Sequence, residues 1–302
     1  MPAYDVIEIP SHQPALVARL RHTAPDRPAA GALPVLFVHG SSFPSGLSFD
    51  FRMHGQSWMD WMAARGHDVY ALDFLGYGLS DRYPDTLAAP GRARDVANDV
   101  GSAVDAILRR TDSGQLVLVG HSWGGSVAAR YAQSNTGKVA RLVLFAAITA
   151  REEPGQAPAP AGAYESMTPA QRIAGMDGLR PAGELPQLHP DVFSIWGEQW
   201  LASDTAVGVV RFPAGPSADV AELRRGGTYY DPSRLAMPVL LVRGEWDAWP
   251  SDADYRKLHA QLPDGRYVSI PRGTHVMHLE AARFRLYEEV LGFLGKSLQL
   301  MP

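Results

Sequence analysis

Six short apolar runs, each ending in a turn and separated from the next by enough chain for a helix, constrain this sequence most. They are Val35–Val38, Val69–Leu72, Leu116–Val119, Leu142–Phe145, Val239–Val242 and Tyr267–Ile270. They are apolar at nearly every position instead of alternate ones, the pattern of strands covered on both faces. Helical stretches fall between them at Gln56–Arg65, Arg92–Arg109, Gly124–Gln133, Asp252–Gln261 and Ala281–Leu294. That alternation predicts a mostly parallel α/β sheet flanked by helices. Val6–Ile9 and Leu16–Leu20 read as a lead-in hairpin, which brings the expected sheet to eight strands.

One segment breaks the rhythm. Ala150 to Thr228 is rich in Pro and Gly, has few convincing strands, and carries the large aromatics Tyr164, Phe193, Trp196, Trp200 and Phe212. A structureless loop of that length is unusual in a compact domain, so an inserted unit with helices of its own is expected after the sixth strand. The domain reading is therefore a core of residues 1–149 and 229–302 with a helical cap at 150–228. The cap reads as a lid, because ligands of such sheets bind at the carboxyl ends of the strands.

The third apolar run leads directly into Gly120-His121-Ser122-Trp123-Gly124-Gly125 and then into a helical stretch. This is G-x-S-x-G in the strand–turn–helix setting that gives the pattern its meaning, with glycines leaving room for a sharp turn that lifts the Ser122 hydroxyl clear of the sheet. With no Cys in the chain, thiolate nucleophiles, disulfides and Cys-bound metals are excluded together. A serine hydroxyl needs a base, and the base needs a carboxylate to orient it. Asp247 follows the strand Val239–Val242 and His275 follows Tyr267–Ile270, in the chain order Ser, Asp, His. Glu245 rivals Asp247, with Glu152 and Glu153 as weaker alternatives, and His278 rivals His275. The turn His39-Gly40-Ser41-Ser42 after the first parallel strand supplies a candidate oxyanion donor in the Ser41 N–H, with the Trp123 N–H as the second. Phe43, Trp123, Trp196 and Trp200 are candidates for the wall of an apolar substrate pocket, with a place in the cap core as the equal alternative.

Taken together, His39-Gly40, Asp73-Phe74-Leu75-Gly76-Tyr77-Gly78-Leu79-Ser80-Asp81-Arg82, Gly120–Gly125, Gly244–Asp247 and Gly273-Thr274-His275 resemble the α/β-hydrolase superfamily. The resemblance implies the fold and a Ser122–His275–Asp247 triad, and it implies no substrate. Family members that dehalogenate or open epoxides place Asp at the elbow, so Ser122 points away from those activities. The segment Asp73–Arg82 reads as a structural turn beside the pocket. The expected activity is hydrolysis of a carboxylic ester or lactone of a small, largely apolar substrate through an acyl-enzyme, with no metal or cofactor. Hydrolysis of a carbon–carbon bond, cleavage of an amide or N-terminal residue with the same triad, and a non-catalytic receptor remain as alternatives. For the peptidase alternative, Glu152, Glu153, Glu165, Glu184 and Glu198 are the acidic groups available to a substrate amine.

The formal charge of −4 with no basic cluster gives no footprint for nucleic acid or an anionic membrane. The longest apolar run, Leu142–Ala150, is far shorter than the roughly 20 residues that span a bilayer. Asp5 and Glu8 stand where a secretory signal would be positive and then apolar. The expectation is a cytoplasmic protein with a small-molecule partner; a homodimer is left open.

Overall fold

The computed structural model describes residues 5–151, 153–156, 158, 160 and 162–295. Glu152 lies outside the described residues. The elements in chain order are β1 (Asp5–Pro10), β2 (Val17–Thr23), β3 (Val35–Val38), α1 (Ser45–Ser48), α2 (Trp58–Ala63), β4 (Val69–Asp73), α3 (Ala93–Thr111), β5 (Leu116–His121), α4 (Trp123–Ala132) and β6 (Val139–Phe145). They continue as β7 (Tyr164–Met167), α5 (Pro169–Asp177), α6 (Pro190–Ala202), β8 (Val210–Pro213), α7 (Gly215–Arg224), β9 (Val239–Gly244), α8 (Asp252–His259), β10 (Gly265–Ile270) and α9 (Arg283–Leu294).

Eight strands form one sheet in the order β1-β2-β4-β3-β5-β6-β9-β10. The pairs involving β2 are antiparallel and all pairs from β4 to β10 are parallel. Alternate residues of the central strands serve opposite faces. Leu36 and Val38 join the cluster that includes Leu118, Val127 and Leu144, whereas Val35 and Phe37 join the one that includes Val119, Val143 and Leu240. Every residue of β3, β4, β5 and β6 is buried, which is why these strands read as unbroken apolar runs.

The parallel registers bring the strand ends to one edge. Val38 pairs with Gly120, His121 with Phe145, Phe145 with Val242 and Gly244 with Ile270. The loops carrying Ser41, Ser122, Asp247 and His275 all leave from that edge.

The chain between β6 and β9 holds α5, α6 and α7, as the composition of the segment predicts. It also holds an antiparallel ribbon of β7 with β8, in which Tyr164 pairs with Pro213 and Met167 with Val210. Neither strand is among the runs expected from the sequence, which predicts few strands in this segment. β6 begins at Val139, ahead of the expected Leu142, and α9 begins at Arg283, beyond the expected Ala281. No described helix is long and apolar enough to cross a membrane.

Candidate active site

Ser122 sits between β5 and α4 with φ of 54° and ψ of −129°, a backbone conformation that L residues rarely adopt. Close packing on both sides enforces it. A Cβ on Gly124 would lie 2.1 Å from the His39 carbonyl oxygen, and one on Gly120 would lie 2.6 Å from the Gly125 Cα. The Ser122 carbonyl accepts from the N–H groups of Gly125 and Ile148, both at 3.0 Å, so the strained residue is held from both directions.

Ser122 Oγ lies 2.8 Å from His275 Nε2, and His275 Nδ1 lies 3.0 Å from Asp247 Oδ2. Asp247 is buried, and its second oxygen accepts from the Trp249 N–H at 3.1 Å. The two loops meet because a glycine stands at the end of β9. The space a Cβ on Gly244 would need is filled by the Gly273 carbonyl, and Trp246 N–H donates to that carbonyl at 2.9 Å. A hydrogen-bonded chain from hydroxyl to imidazole to carboxylate is the geometry in which a histidine withdraws a proton while a carboxylate steadies the resulting cation.

The rivals lie elsewhere. Glu245 is exposed and accepts from the Arg272 N–H at 2.8 Å. Glu153 is exposed. His278, expected in the first turn of the last helix, sits ahead of α9 in a 3-10 turn and is fully buried. Neither of its ring nitrogens has a hydrogen-bond partner, and burial drives its pKa down to about 3.

Burial shifts the titratable neighbours of the triad toward their neutral forms. His121 packs its ring on Phe145 and on His278, with centroids 4.7 and 4.4 Å away. Its Nε2–H donates to the His275 carbonyl at 3.0 Å, and burial first, then the nearby histidines, keep its pKa well below the ordinary value. Glu280 accepts from the Thr274 N–H at 3.1 Å and from the Thr274 hydroxyl, which braces the residue before His275. Burial raises the Glu280 carboxyl to about 7.

Both candidate oxyanion donors have N–H groups without an acceptor among the described residues. Their side of the site is braced. The Tyr77 hydroxyl donates to the Ser41 carbonyl at 2.6 Å, and the buried His39 accepts from the Phe74 N–H at 3.2 Å while its Nδ1–H donates to the Gly40 carbonyl at 2.7 Å. Asp73 accepts from the Ser45 N–H at 2.8 Å and the Leu79 N–H at 3.0 Å, so the Asp73–Arg82 segment is a structural turn, as expected. The Trp123 indole donates to Asp219 Oδ2 at 2.9 Å.

A cavity of about 400 Å³ opens at Ser122, Asp247 and His275. Its walls come from the loop Gly40–Phe43, from Ile148 and Trp249, and from Arg172, Met176, Val220 and Arg224 on α5 and α7. Phe43 is on the wall. Trp123, Trp196 and Trp200 are not on it. Trp123 is wholly buried, and so are Trp196 and Trp200 on one face of α6, Trp196 in an edge-to-face arrangement with Phe43 at 5.3 Å and Trp200 packed against Trp196 at 5.4 Å. Among the described residues no glutamate lines the cavity, and Glu165 is bonded to the Ser217 hydroxyl while Glu184 pairs with Arg272. Arg172, Val220 and Trp249 were not singled out from sequence, because nothing in their local pattern says which way α5 and α7 dock.

The sequence pattern of the "Alpha/beta hydrolase family" matches residues 35–286. A 79-residue stretch is 33% identical to "Alpha/beta hydrolase domain-containing protein WAV2" of Arabidopsis thaliana, covering 26% of this chain and only 23% of that relative. Across 238 residues the chain is 27% identical to "Putative carbamate hydrolase RutD" of Variovorax paradoxus (strain S110), covering 76% of this chain and 82% of that one. Among solved structures, "Thioesterase Domain From Curacin Biosynthetic Pathway" superposes with a TM-score of 0.69 at 18% identity, over 96% of this chain and 99% of that one. With this sheet, this elbow and a family match across most of its length, the chain belongs to the alpha/beta hydrolase family.

Proposed function

We propose that the protein is a serine hydrolase that cleaves a carboxylic ester or lactone of a small molecule through an acyl-enzyme. The observation that carries this reading is the unbroken relay from Ser122 Oγ through His275 to Asp247. In the proposed reaction His275 Nε2 takes the Ser122 proton as Oγ attacks the substrate carbonyl, while Asp247 holds the Nδ1–H and balances the imidazolium. The N–H groups of Ser41 and Trp123 receive the oxyanion. The imidazolium then gives its proton to the departing alkoxide, leaving an ester on Ser122. Water attacks that ester, transferring a proton to His275, and the same proton returns to Ser122 Oγ as the acid leaves.

Residues 150–228 act in this reading as a lid, supported by the share of the cavity wall that α5 and α7 contribute. A small-molecule partner and a cytoplasmic setting belong to the same proposal. The resemblance to a protein named as a carbamate hydrolase over most of both chains keeps acyl C–N cleavage as the second reading. Esters, lactones, carbamates and aminoacyl amides assayed with wild type and Ser122→Ala decide between them. The expected result is ester or lactone turnover that Ser122→Ala lowers by a factor on the order of 10⁴ or more. Turnover confined to the carbamate would select the second reading, and absence of any Ser122-dependent turnover would remove both.

A further inference from the structure

Arg172 is the group in the cavity that the proposed chemistry does not use. It lies in the first turn of α5, after the N-cap Thr168, where the helix macrodipole disfavours a cation. Among the described residues its guanidinium makes no hydrogen bond and no ion pair, and its Nε is sealed from solvent without a partner. The Phe43 ring lies 5.3 Å from its guanidinium carbon, and the guanidinium charge is one of the influences that lower the pKa of the buried His121. The Arg172 side chain is half-buried, and this burial pulls its pKa down to about 10, so it remains charged at neutral pH beside the cavity with no counter-charge among the described residues. A half-buried cation without a counter-charge at the wall of a cavity is a place where an anionic ligand gains a charge-assisted hydrogen bond.

The rest of the wall points the same way. Among the described residues that line the cavity, the fixed charges are those of Arg172, Arg224 and Asp247, which leaves one positive charge in excess on the lining. Arg224 has its guanidinium over the Trp249 ring, 5.0 Å from the centroid. Because Asp247 is engaged with His275 and the Trp249 N–H, it is not available to Arg172. The remaining wall is largely apolar, with Phe43, Ile148, Met176, Val220 and Trp249.

We propose that the substrate is an ester or related acyl compound bearing a carboxylate away from the scissile bond, and that Arg172 binds that carboxylate. This rests on the hydrolase reading above and narrows its substrate class to a mostly apolar monoanion. A planar carboxylate matches the fork of a guanidinium and its single negative charge matches the excess on the wall.

The test compares 4-nitrophenyl hydrogen adipate with its uncharged isostere 4-nitrophenyl 6-oxoheptanoate, using wild type, Arg172→Gln and Arg172→Lys. Wild type should favour the charged ester in kcat/KM by about 10- to 100-fold, the range of a charge-assisted hydrogen bond. Arg172→Gln should collapse that ratio toward one, and Arg172→Lys should keep part of it. A wild-type ratio near one, or an equal loss on both esters in Arg172→Gln, overturns the proposal. Binding to Ser122→Ala separates its failure from that of the hydrolase reading. Monomethyl adipate should bind at least about tenfold tighter than dimethyl adipate, and Ser122→Ala/Arg172→Gln should lose the difference, whether or not the wild type turns over either ester. Equal binding of the two to Ser122→Ala overturns the assignment of Arg172.

Discussion

The indole of Trp123, the residue after Ser122, donates to the carboxylate of Asp219, and Asp219 stands on a helix inserted between two strands of the sheet. The same carboxylate accepts from the Ala93 N–H at 2.5 Å, from the Tyr229 hydroxyl at 2.9 Å and from Arg92. Arg92 in turn reaches Glu222 at 2.8 Å. One buried acid thus fastens α7 to the start of α3 and to the start of α4, next to the nucleophile.

Asp219→Ala leaves the Trp123 indole and the Ala93 N–H without an acceptor, while Arg92 and Tyr229 retain Glu222. The substitution should lower unfolding stability by about 3 kcal/mol. Trp123→Phe removes the indole bond together with part of a wholly buried ring and should cost about 2 kcal/mol. Urea unfolding of the two variants measures both, and equal effects would mean that the Arg92 and Tyr229 bonds contribute little.

His278 faces His121 and His275 among aromatic rings and stays neutral in the folded protein. Its folded pKa lies below the ordinary unfolded value near 6.5, so the stability it contributes is complete above that value and is lost as pH falls toward about 3. Between pH 7.5 and 5 this amounts to about 2 kcal/mol. His278→Leu should lose about that much less stability than wild type over the same interval. His121 works in the same direction, so a residual acid dependence should persist. Unfolding curves at the two pH values measure the difference, and parallel losses would show that His278 is charged or solvated.

Glu280 has the opposite sign. Its folded pKa is raised to about 7 by burial, from an ordinary 4.5, so its stabilising contribution is complete below 4.5 and is lost as pH rises through the interval to 7. Asp247, His275 and Thr274 are the groups that face it. Glu280→Gln keeps an acceptor for the Thr274 N–H and should gain up to about 3 kcal/mol relative to wild type between pH 4.5 and 8. A pH-independent difference between the two proteins would contradict this.

The parts of this protein that could be read from its sequence are those that burial makes uniform. Strands β3, β4 and β5 are buried on both faces and stand out as apolar runs, and the triad follows because its members sit where such runs end. β6 was read three residues short because Arg141 interrupts its apolar pattern, although that side chain is buried with its guanidinium 5.5 Å from the Phe293 ring. The ribbon of β7 and β8 escaped notice because Tyr-Glu-Ser-Met and Val-Arg-Phe-Pro lack the composition of covered strands. Trp196 and Trp200 fit a pocket wall and a cap core equally well by sequence, and only the docking of α6 shows that their side chains turn inward. Arg172 has no local signature. Its isolation depends on how α5 meets the loop that carries Phe43.

The most direct test of the central claim is covalent labelling with a fluorophosphonate, followed by intact-mass and peptide mass spectrometry. The account predicts a single adduct on Ser122, formed rapidly by wild type, slowed on the order of 10⁴-fold in His275→Ala, and absent from Ser122→Ala. No adduct on wild type, or one on another residue that survives Ser122→Ala, would contradict it.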